Sequence, residues 1–240
     1  MIKGVILAGG KGTRLWPITK VTGKHFLPVD DKPIIYYPVL TLKKAGIKDI
    51  LIVCGSEHTD QYVQLLGSGK EFGVNLYYTI QVEPLGIAHG LSLAESFAGG
   101  NPVALILGDN IFGDDLFDAV EKFSKKERGS MVVLKQVPDP KRFGVASFCK
   151  DGTIKSVTEK PKQPATNWAV TGFYLYDNRV FNVIKNLKPS ARGEYEITDV
   201  NNWYIKEGTM DHFKAKKFWV DAGTFESLHL ANILVRKNKK

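Results

Sequence analysis

Short apolar runs that alternate with helical patterns are the feature that most constrains the fold of this chain. The runs have the length of buried strands, and they occupy residues 4–7, 50–53, 76–80, 103–107 and 131–137. Helical patterns lie between them at 33–45, 59–66, 87–97 and 116–126. Because strand and helix alternate in this way, the sequence predicts an α/β protein with a mostly parallel sheet and right-handed crossovers.

The second half of the chain follows a different pattern. Segments 144–149 and 153–158 flank the turn Lys150-Asp151-Gly152, whose Asp-Gly pair is typical of a β-hairpin. A further strand is expected at 169–176, with helices at 179–186 and 194–205. We therefore predict a mixed, mostly parallel sheet flanked by helices, extended by an antiparallel hairpin, in one domain over 1–240. Pro33 is expected in a first helical turn and Gly46 at a helix C-terminus.

Composition excludes several classes of protein. The hydrophobic fraction of 43% and the charged fraction of 24% are those of a globular protein, and no apolar run is long enough to span a bilayer. The first residues do not resemble a signal peptide, so a cytoplasmic location is expected. Cys54 and Cys149 form no metal-binding pair, and the five histidines lack the spacing of zinc ligands.

The net charge of +8 raises the possibility of nucleic-acid binding. However, residues 236–240 carry four of these charges, and the remaining charges are scattered without interleaved aromatic residues. A small polyanionic ligand explains the excess equally well. We therefore predict neither a nucleic-acid nor a membrane partner.

A glycine-rich segment follows the first apolar run directly. Residues 7–14, with the sequence LAGGKGTR, combine three glycines with Lys11 and Arg14. Such a loop can point backbone N–H groups and positive charge at a phosphate, although a simple connecting turn is the alternative. The spacing excludes a P-loop, because Gly12 replaces the required Ser or Thr, and it excludes the dinucleotide motif, because Leu15 replaces the third glycine.

Polar residues at the ends of other apolar runs are candidate ligands. Asp109 and Asp221 each end such a run, and two carboxylates together with phosphate oxygens would suit Mg²⁺. The alternative for Asp109 is a helix N-cap. Gln81 could hydrogen-bond a base, with Gly86 allowing close approach, or could belong to a polar turn. Lys24 could bind a phosphate or lie exposed on the surface.

Two charged segments in the second half of the chain could likewise either bind a ligand or have only a structural role. Glu159 could accept hydrogen bonds from sugar hydroxyls and Lys160 could bind a phosphate, although an exposed strand end is the commoner explanation. Arg192 precedes a predicted helix whose N-terminus would itself favour an anion.

Taken together, these segments resemble the sugar nucleotidyltransferase family. The resemblance covers nearly the whole chain and is carried in order by LAGGKGTRLWP, KHFLPV, DKPIIYYP, LGDN, RFGV, EKP, VTGFYLYD, RGEYEITDVN and WVDAGT. It implies a Rossmann-like nucleotidyltransferase fold. It also implies transfer of a nucleotidyl group from a nucleoside triphosphate to a sugar 1-phosphate, and the closest members use dTTP and glucose 1-phosphate. The resemblance also suggests self-association into a homo-oligomer.

The resemblance also implies a role for each matching residue. Arg14, Lys24 and Lys160 would act in catalysis, and Asp109 and Asp221 would bind Mg²⁺. The nucleotide would be held by Leu7, Gly9, Gly10, Gly12, Thr13, Arg14, Lys24, Gln81 and Gly86. The sugar phosphate would be held by Gly144, Glu159, Lys160, Val170 and Arg192.

This sequence departs from the family pattern in a few places. His25 stands where glutamine is usual, Phe143 where tyrosine is usual, and Ala222 where threonine is usual. Longer members continue beyond the position of Lys240 with a helical region linked to an allosteric site. We therefore expect feedback regulation to be weak or absent.

The sequence also leaves three other functions open. UTP could replace dTTP, since one amide can pair with either uracil or thymine. A catalytically silent sugar-nucleotide sensor is a second alternative, although such a protein should have lost metal or phosphate ligands. A nucleic-acid binder is the third.

Overall fold

The computed structural model describes residues 1–239 and contains one large sheet with helices on both faces. The strands are β1 (Lys3–Ala8), β2 (Pro28–Val29), β3 (Lys32–Pro33), β4 (Asp49–Gly55), β5 (Asn75–Gln81), β6 (Val103–Leu107), β7 (Asn110–Phe112), β8 (Ser130–Gln136), β9 (Gly144–Phe148), β10 (Ile154–Glu159), β11 (Trp168–Tyr176), β12 (Met210–Lys214) and β13 (Trp219–Asp221). The helices are α1 (Tyr36–Lys44), α2 (Thr59–Leu66), α3 (Ile87–Ser92), α4 (Glu95–Ala98), α5 (Phe117–Ser124), α6 (Val180–Lys185), α7 (Ile197–Lys206) and α8 (Phe225–Lys237).

The sheet contains nine strands, and its main path runs β10-β9-β11-β6-β1-β4-β5. Strands β1, β4, β5 and β6 are parallel to one another. Strand β11 is antiparallel to β6, and it also pairs with the β9–β10 hairpin and with β8. The structure confirms the predicted α/β class, with a parallel half and an antiparallel extension.

Alternating side chains of the central strand reach two separate cores. Ile6 packs in the core beneath α1, α2 and α5, whereas Val5 packs in the core beneath α3, α6 and α7. Both residues are fully buried, as expected for a strand covered on both faces. A third, smaller core lies under α8 and includes Leu15, Val220 and Ala231.

Several predicted boundaries are wrong. Pro33 lies in strand β3, which pairs with β2, so helix α1 begins later, at Tyr36. Gly46 follows Ala45, the C-cap of α1, and has φ +85°, which confirms the predicted helix end. The helix predicted over 87–97 is interrupted between α3 and α4. The helix predicted from residue 194 begins at Ile197.

The site described below lies at one edge of the sheet. Strands β1, β4, β5 and β6 all end there because they are parallel, and β11 begins there because it is antiparallel. A short ribbon of β7 paired with β13 lies beside this edge. No helix among residues 1–239 has the length and apolar character needed to cross a membrane.

Candidate functional site

Two adjoining cavities open at this edge. The first, called here the glycine-loop cavity, has a volume of about 370 Å³ and is lined by Leu7, Gly9, Gly10, Arg14, Lys24, Gln81, Pro84, Gly86, Ile87, Leu107, Asp109, Glu194 and Asp221. The second, called the hairpin cavity, has a volume of about 170 Å³, and its polar lining is Asn110, Arg142, Glu159, Lys160, Thr171, Tyr174, Arg192, Glu194, Glu196, Thr198, Asn201, Trp219 and Asp221. The two cavities share Ile87, Leu107, Glu194 and Asp221.

The structure brings most of the predicted site residues to these walls. Gly144 and Val170 also line the hairpin cavity, so all five predicted sugar-phosphate residues lie together. Gly12 and Thr13 line neither cavity: the Gly12 carbonyl accepts a hydrogen bond from Thr19 Oγ1 (2.8 Å), and Thr13 begins a 3-10 turn. Lys11 lines a smaller neighbouring cavity instead.

Asp109 lines the glycine-loop cavity and is held there by two donors. Its Oδ2 accepts a hydrogen bond from Lys24 Nζ (2.6 Å), and its Oδ1 accepts one from Asn110 Nδ2 (3.0 Å). Burial alone would raise the pKa of Asp109, but the Lys24 charge and hydrogen bond keep it well below its usual range. Asp109 is therefore ionised near neutral pH, and it is not the helix cap that its sequence position also allowed.

Asp221 is brought next to Asp109 by the β7–β13 ribbon. Asp221 pairs with Asn110 in this ribbon, and the following N–H, of Ala222, donates to the Asp109 carbonyl (2.9 Å). Asp221 Oδ1 is buried and has no hydrogen-bond partner in the described part of the chain. Burial, with the nearby Asp109 charge as a second cause, raises the pKa of Asp221 to about 6.

The two carboxylates fit a divalent cation. A buried carboxylate oxygen without a partner costs free energy, and a cation is the simplest group that would relieve the cost. No cluster of three or more His, Cys, Asp or Glu side chains suited to a metal occurs within residues 1–239. Mg²⁺ commonly uses one or two protein carboxylates and takes its other ligands from phosphates and water, so Asp109 and Asp221 form a sufficient donor set.

Arg14 approaches the same carboxylate across a glycine. A Cβ atom placed on Gly223 would lie 2.7 Å from Arg14 Nη2 and 2.8 Å from Asp221 Oδ1. A side chain at position 223 would therefore force Arg14 or Asp221 to move. The Arg14 side chain is exposed and faces the glycine-loop cavity.

His25 lines neither of these two cavities but borders the smaller neighbouring cavity that Lys11 also lines. It is 2% exposed, and its Nδ1 lies 2.7 Å from Tyr62 Oη, which donates its proton to the Ala8 carbonyl (2.9 Å). Burial, followed by the Lys24 charge, lowers the pKa of His25 to about 3. His25 is thus a neutral residue that ties the segment of Lys24 to the end of β1.

Gln81 and Gly86 adjoin the glycine-loop cavity from the end of β5. Gln81 is 9% exposed, and its Nε2 lies 2.9 Å from His89 Nδ1. A Cβ on Gly86, which has φ +101°, would lie 2.7 Å from the Tyr195 carbonyl oxygen. The close approach that requires this glycine is therefore to the chain at Tyr195, whereas the prediction invoked only a bound base.

The hairpin cavity is built around Glu159. Its Oε2 accepts a hydrogen bond from Thr198 Oγ1 (2.8 Å), and its Oε1 lies 3.6 Å from Lys160 Nζ. Gly144 pairs with Glu159 across the hairpin. Lys160 has φ +42°, an uncommon conformation for a residue with a side chain, and its N–H donates to the Phe143 carbonyl. Such strain is common at functional sites.

Arg192 already has carboxylate partners inside the protein. Its Nη2 lies 2.9 and 2.8 Å from the two oxygens of Glu196, and it lies within 4 Å of Glu159 and Glu194. A phosphate that binds Arg192 must therefore share or replace these contacts.

Three residues at the site were missed by the sequence analysis. Arg142 adds a cation to the hairpin cavity. Asn110 accepts hydrogen bonds from Gly172 N (3.0 Å) and Trp219 Nε1 (2.6 Å) while it orients Asp109. Asn201 has a buried Nδ2 with no partner among residues 1–239. Arg142 and Asn110 lie inside the motifs RFGV and LGDN, so the residues flanking each candidate were the available signal.

Comparisons with known proteins agree with this geometry. A glucose-1-phosphate thymidylyltransferase of Neisseria gonorrhoeae is 46% identical over 238 residues, which are 98% of this chain and 83% of that protein. A crystal structure of a Bacillus anthracis protein described as a glucose-1-phosphate thymidylyltransferase, in complex with sucrose, matches with TM-score 0.94 and 52% identity over 98% of this chain and 96% of that one.

A more distant structural relative is also an enzyme of nucleotide sugars. The crystal structure of an apo UDP-glucose pyrophosphorylase matches with TM-score 0.84 and 27% identity over the full length of both chains. The family model described as nucleotidyl transferase matches residues 3–238. This match covers nearly the whole chain and both cavities, so the chain belongs to the nucleotidyl transferase family.

Proposed function

We propose that this protein transfers a thymidylyl group from dTTP to glucose 1-phosphate and releases pyrophosphate. The observation that carries the proposal is the junction of the two cavities at Asp221. A nucleoside triphosphate in the glycine-loop cavity and a sugar phosphate in the hairpin cavity would meet there. The names of the Neisseria gonorrhoeae and Bacillus anthracis relatives support glucose 1-phosphate as the acceptor and a thymidylyl group as the group transferred.

The proposed reaction is a direct displacement at the α-phosphate of dTTP. One oxygen of the sugar phosphate attacks this phosphorus, the bond from the phosphorus to the bridging oxygen of the β-phosphate breaks, and pyrophosphate leaves with that electron pair. The attacking oxygen is already an anion near neutral pH, so no general base is required. The protein must align the two phosphates and offset their mutual repulsion.

The cations of the site form two groups, one at each cavity. Arg14 and Lys24 line the glycine-loop cavity and would stabilise the charge of the triphosphate. Lys160 and Arg192 line the hairpin cavity and would bind the sugar phosphate, while Glu159 would accept hydrogen bonds from sugar hydroxyls. Asp109 and Asp221 would hold Mg²⁺, which supplies further positive charge to the phosphate oxygens when bound.

A second candidate is the same reaction with UTP. The structural match to UDP-glucose pyrophosphorylase specifically favours it, and the amide of Gln81 can serve thymine and uracil equally. A silent sensor is less well supported, because Arg14, Lys24, Asp109, Lys160 and Asp221 are all present at the cavities.

The deciding experiment compares dTTP with UTP. Pyrophosphate release is measured for each nucleotide with glucose 1-phosphate and Mg²⁺, and the expected result is a higher kcat/KM with dTTP. A strong preference for UTP would select the second candidate, and no release with either would favour the sensor. Self-association and a cytoplasmic location stay predictions, which sedimentation velocity and cell fractionation would measure.

A further inference from the structure

A histidine that the proposed reaction does not use contacts the candidate base-binding side chain. His89 lies in α3, and its Nδ1 is 2.9 Å from Gln81 Nε2. Its ring stacks against Tyr195, with 6.3 Å between ring centroids and 27° between the planes. The Tyr195 N–H donates to the Leu85 carbonyl (2.8 Å), so the stacking partner also anchors the turn that leads into α3.

The contacts of Gln81 distinguish its amide NH₂ group from its amide oxygen. The Gly86 carbonyl oxygen lies 3.4 Å from Gln81 Nε2, and a carbonyl can only accept a hydrogen bond. The amide atom between Gly86 and His89 is therefore the NH₂ group. Because this group only donates, His89 Nδ1 must be an unprotonated acceptor, with the ring proton on Nε2.

This arrangement leaves the amide oxygen of Gln81 for a ligand. Oε1 accepts no hydrogen bond from residues 1–239, and Gln81 lines the glycine-loop cavity. The oxygen lies between two glycines, 3.2 and 3.3 Å from Cβ atoms built on Gly9 and Gly90. Side chains at these two positions would therefore crowd the oxygen.

We infer that His89 is a positioning residue for base selection, which holds Gln81 so that its amide oxygen, and not its NH₂ group, meets the base. This inference rests on the proposed function. Thymine and uracil present an N3–H donor to such an oxygen, whereas cytosine presents an unprotonated N3 that can only accept. A buried acceptor that faces another acceptor is left without a hydrogen bond, and sites of this kind reject the wrong ligand strongly.

The substitution His89→Phe tests the inference, because phenylalanine keeps the stacking on Tyr195 and removes the acceptor. Equilibrium dissociation constants are measured for dTTP and dCTP by calorimetry, and kcat/KM is measured for both with glucose 1-phosphate and Mg²⁺. We expect the dTTP-to-dCTP preference to fall about tenfold or more in both measurements. In His89→Asn, Oδ1 can replace Nδ1 as the acceptor, and the preference should stay within about threefold of the unmodified protein.

Two controls separate positioning from a general structural effect. His229→Phe makes the same change on exposed α8 and should leave the preference unchanged. In a Gln81→Ala background, His89→Phe should have no further effect on the preference. A preference that His89→Phe leaves intact, or that it lowers equally in the Gln81→Ala background, would overturn the inference.

Binding and turnover also distinguish this inference from the proposed function. If the protein binds dTTP over dCTP through His89 but releases no pyrophosphate, the transferase proposal fails and the positioning role stands. If turnover occurs and the preference is independent of His89, only the positioning role fails.

Discussion

Asp221 has an environment that favours function over stability. Its Oδ1 is buried without a partner in the described chain, and the neighbouring carboxylate of Asp109 repels its charge. A raised pKa in the folded state means that stability is lost as the pH rises from the ordinary value of about 4 through about 6. The ionised side chain therefore opposes folding at neutral pH unless a cation compensates it.

Asp221→Asn should separate the two effects. We expect kcat to fall about a hundredfold or more, because a cation ligand is lost, while the melting temperature without metal stays equal or rises. Pyrophosphate release and thermal unfolding in EDTA measure these quantities. Asp60→Asn, an exposed change in α2, is the control. Full activity would contradict the metal assignment, and a melting temperature lowered by several degrees would contradict the argument that the ionised Asp221 opposes folding.

His25 should make stability depend on pH. Its pKa in the folded protein is about 3 and its ordinary pKa is about 6.5, so the unfolded chain takes up a proton that the folded chain excludes. Stability is consequently lost as the pH falls below about 6.5, at about 1.4 kcal/mol per pH unit.

His25→Gln should remove this part of the acid sensitivity. Between pH 7.5 and pH 5, the variant should lose about 2 kcal/mol less free energy of unfolding than the unmodified protein. Urea unfolding at the two pH values measures the difference. His229→Gln, on the exposed surface of α8, should behave like the unmodified protein, and equal pH slopes for both variants would refute the prediction.

At the scale of elements, the long buried strands could be predicted from the sequence, but the short strands β2, β3, β7 and β13 could not. Residues 50–53 and 103–106 are buried, and burial on both faces of the sheet produces the uninterrupted apolar pattern that identified these strands. The proline rule failed at Pro33, because pairing of β3 with β2 outweighed the local preference. The two β7–β13 strands have three residues each and pair across more than 100 positions, so no periodic pattern could reveal them.

In the candidate site, too, local motifs could be read from the sequence but long-range contacts could not. The motifs identified Asp109, Lys24 and Gln81, and the structure places all three at one cavity. The partner of each depends on long-range packing, as with Lys24 and Asp109, which are 85 positions apart. The motifs therefore predicted which residues line the cavity better than how those residues hydrogen-bond to one another.

The β7–β13 ribbon should be sensitive to loss of one hydrogen bond. Trp219→Phe removes the indole donor to Asn110 but keeps an aromatic ring beside Phe143, whose centroid lies 4.9 Å away. We expect a loss of about 1 kcal/mol in the free energy of unfolding and a lower kcat, because Asn110 orients Asp109.

Trp168→Phe is the matched control, since Trp168 also packs against a phenylalanine, Phe148, but lies in β11 and not in this ribbon. Denaturant unfolding and pyrophosphate release measure both variants. Equal effects of the two substitutions would contradict the special role of the Trp219 hydrogen bond.

At the scale of the whole molecule, the charge at the site differs from the charge of the chain. The protein carries a net charge of +8, yet the lining of the hairpin cavity has four carboxylates (Glu159, Glu194, Glu196 and Asp221) against three cations (Arg142, Lys160 and Arg192). The net positive charge of the chain therefore does not by itself attract an anion to this cavity. Arg142 differs from the other two cations because no carboxylate lies within 4 Å of it among residues 1–239.

Arg142→Gln should weaken binding of the sugar phosphate. We expect the KM for glucose 1-phosphate to rise about tenfold with a smaller change in the KM for dTTP, because Arg142 lines only the hairpin cavity. Lys141→Gln changes a neighbouring exposed charge outside the cavity and should alter either KM less than about twofold. Steady-state kinetics test both, and equal effects of the two variants would exclude a role for Arg142.

The internal pairs of Lys24 with Asp109 and of Arg192 with Glu196 have a consequence for selectivity. Each cation is already paired with a carboxylate, so an incoming anion must replace that carboxylate. The anion gains only the difference between its own interaction energy with the cation and that of the carboxylate. A singly charged anion gains little from such an exchange, whereas a polyphosphate or a dianionic sugar phosphate can replace several carboxylates at once. We therefore expect the free protein to prefer ligands of higher negative charge, and we expect the same exchange in reverse to assist the departure of the products.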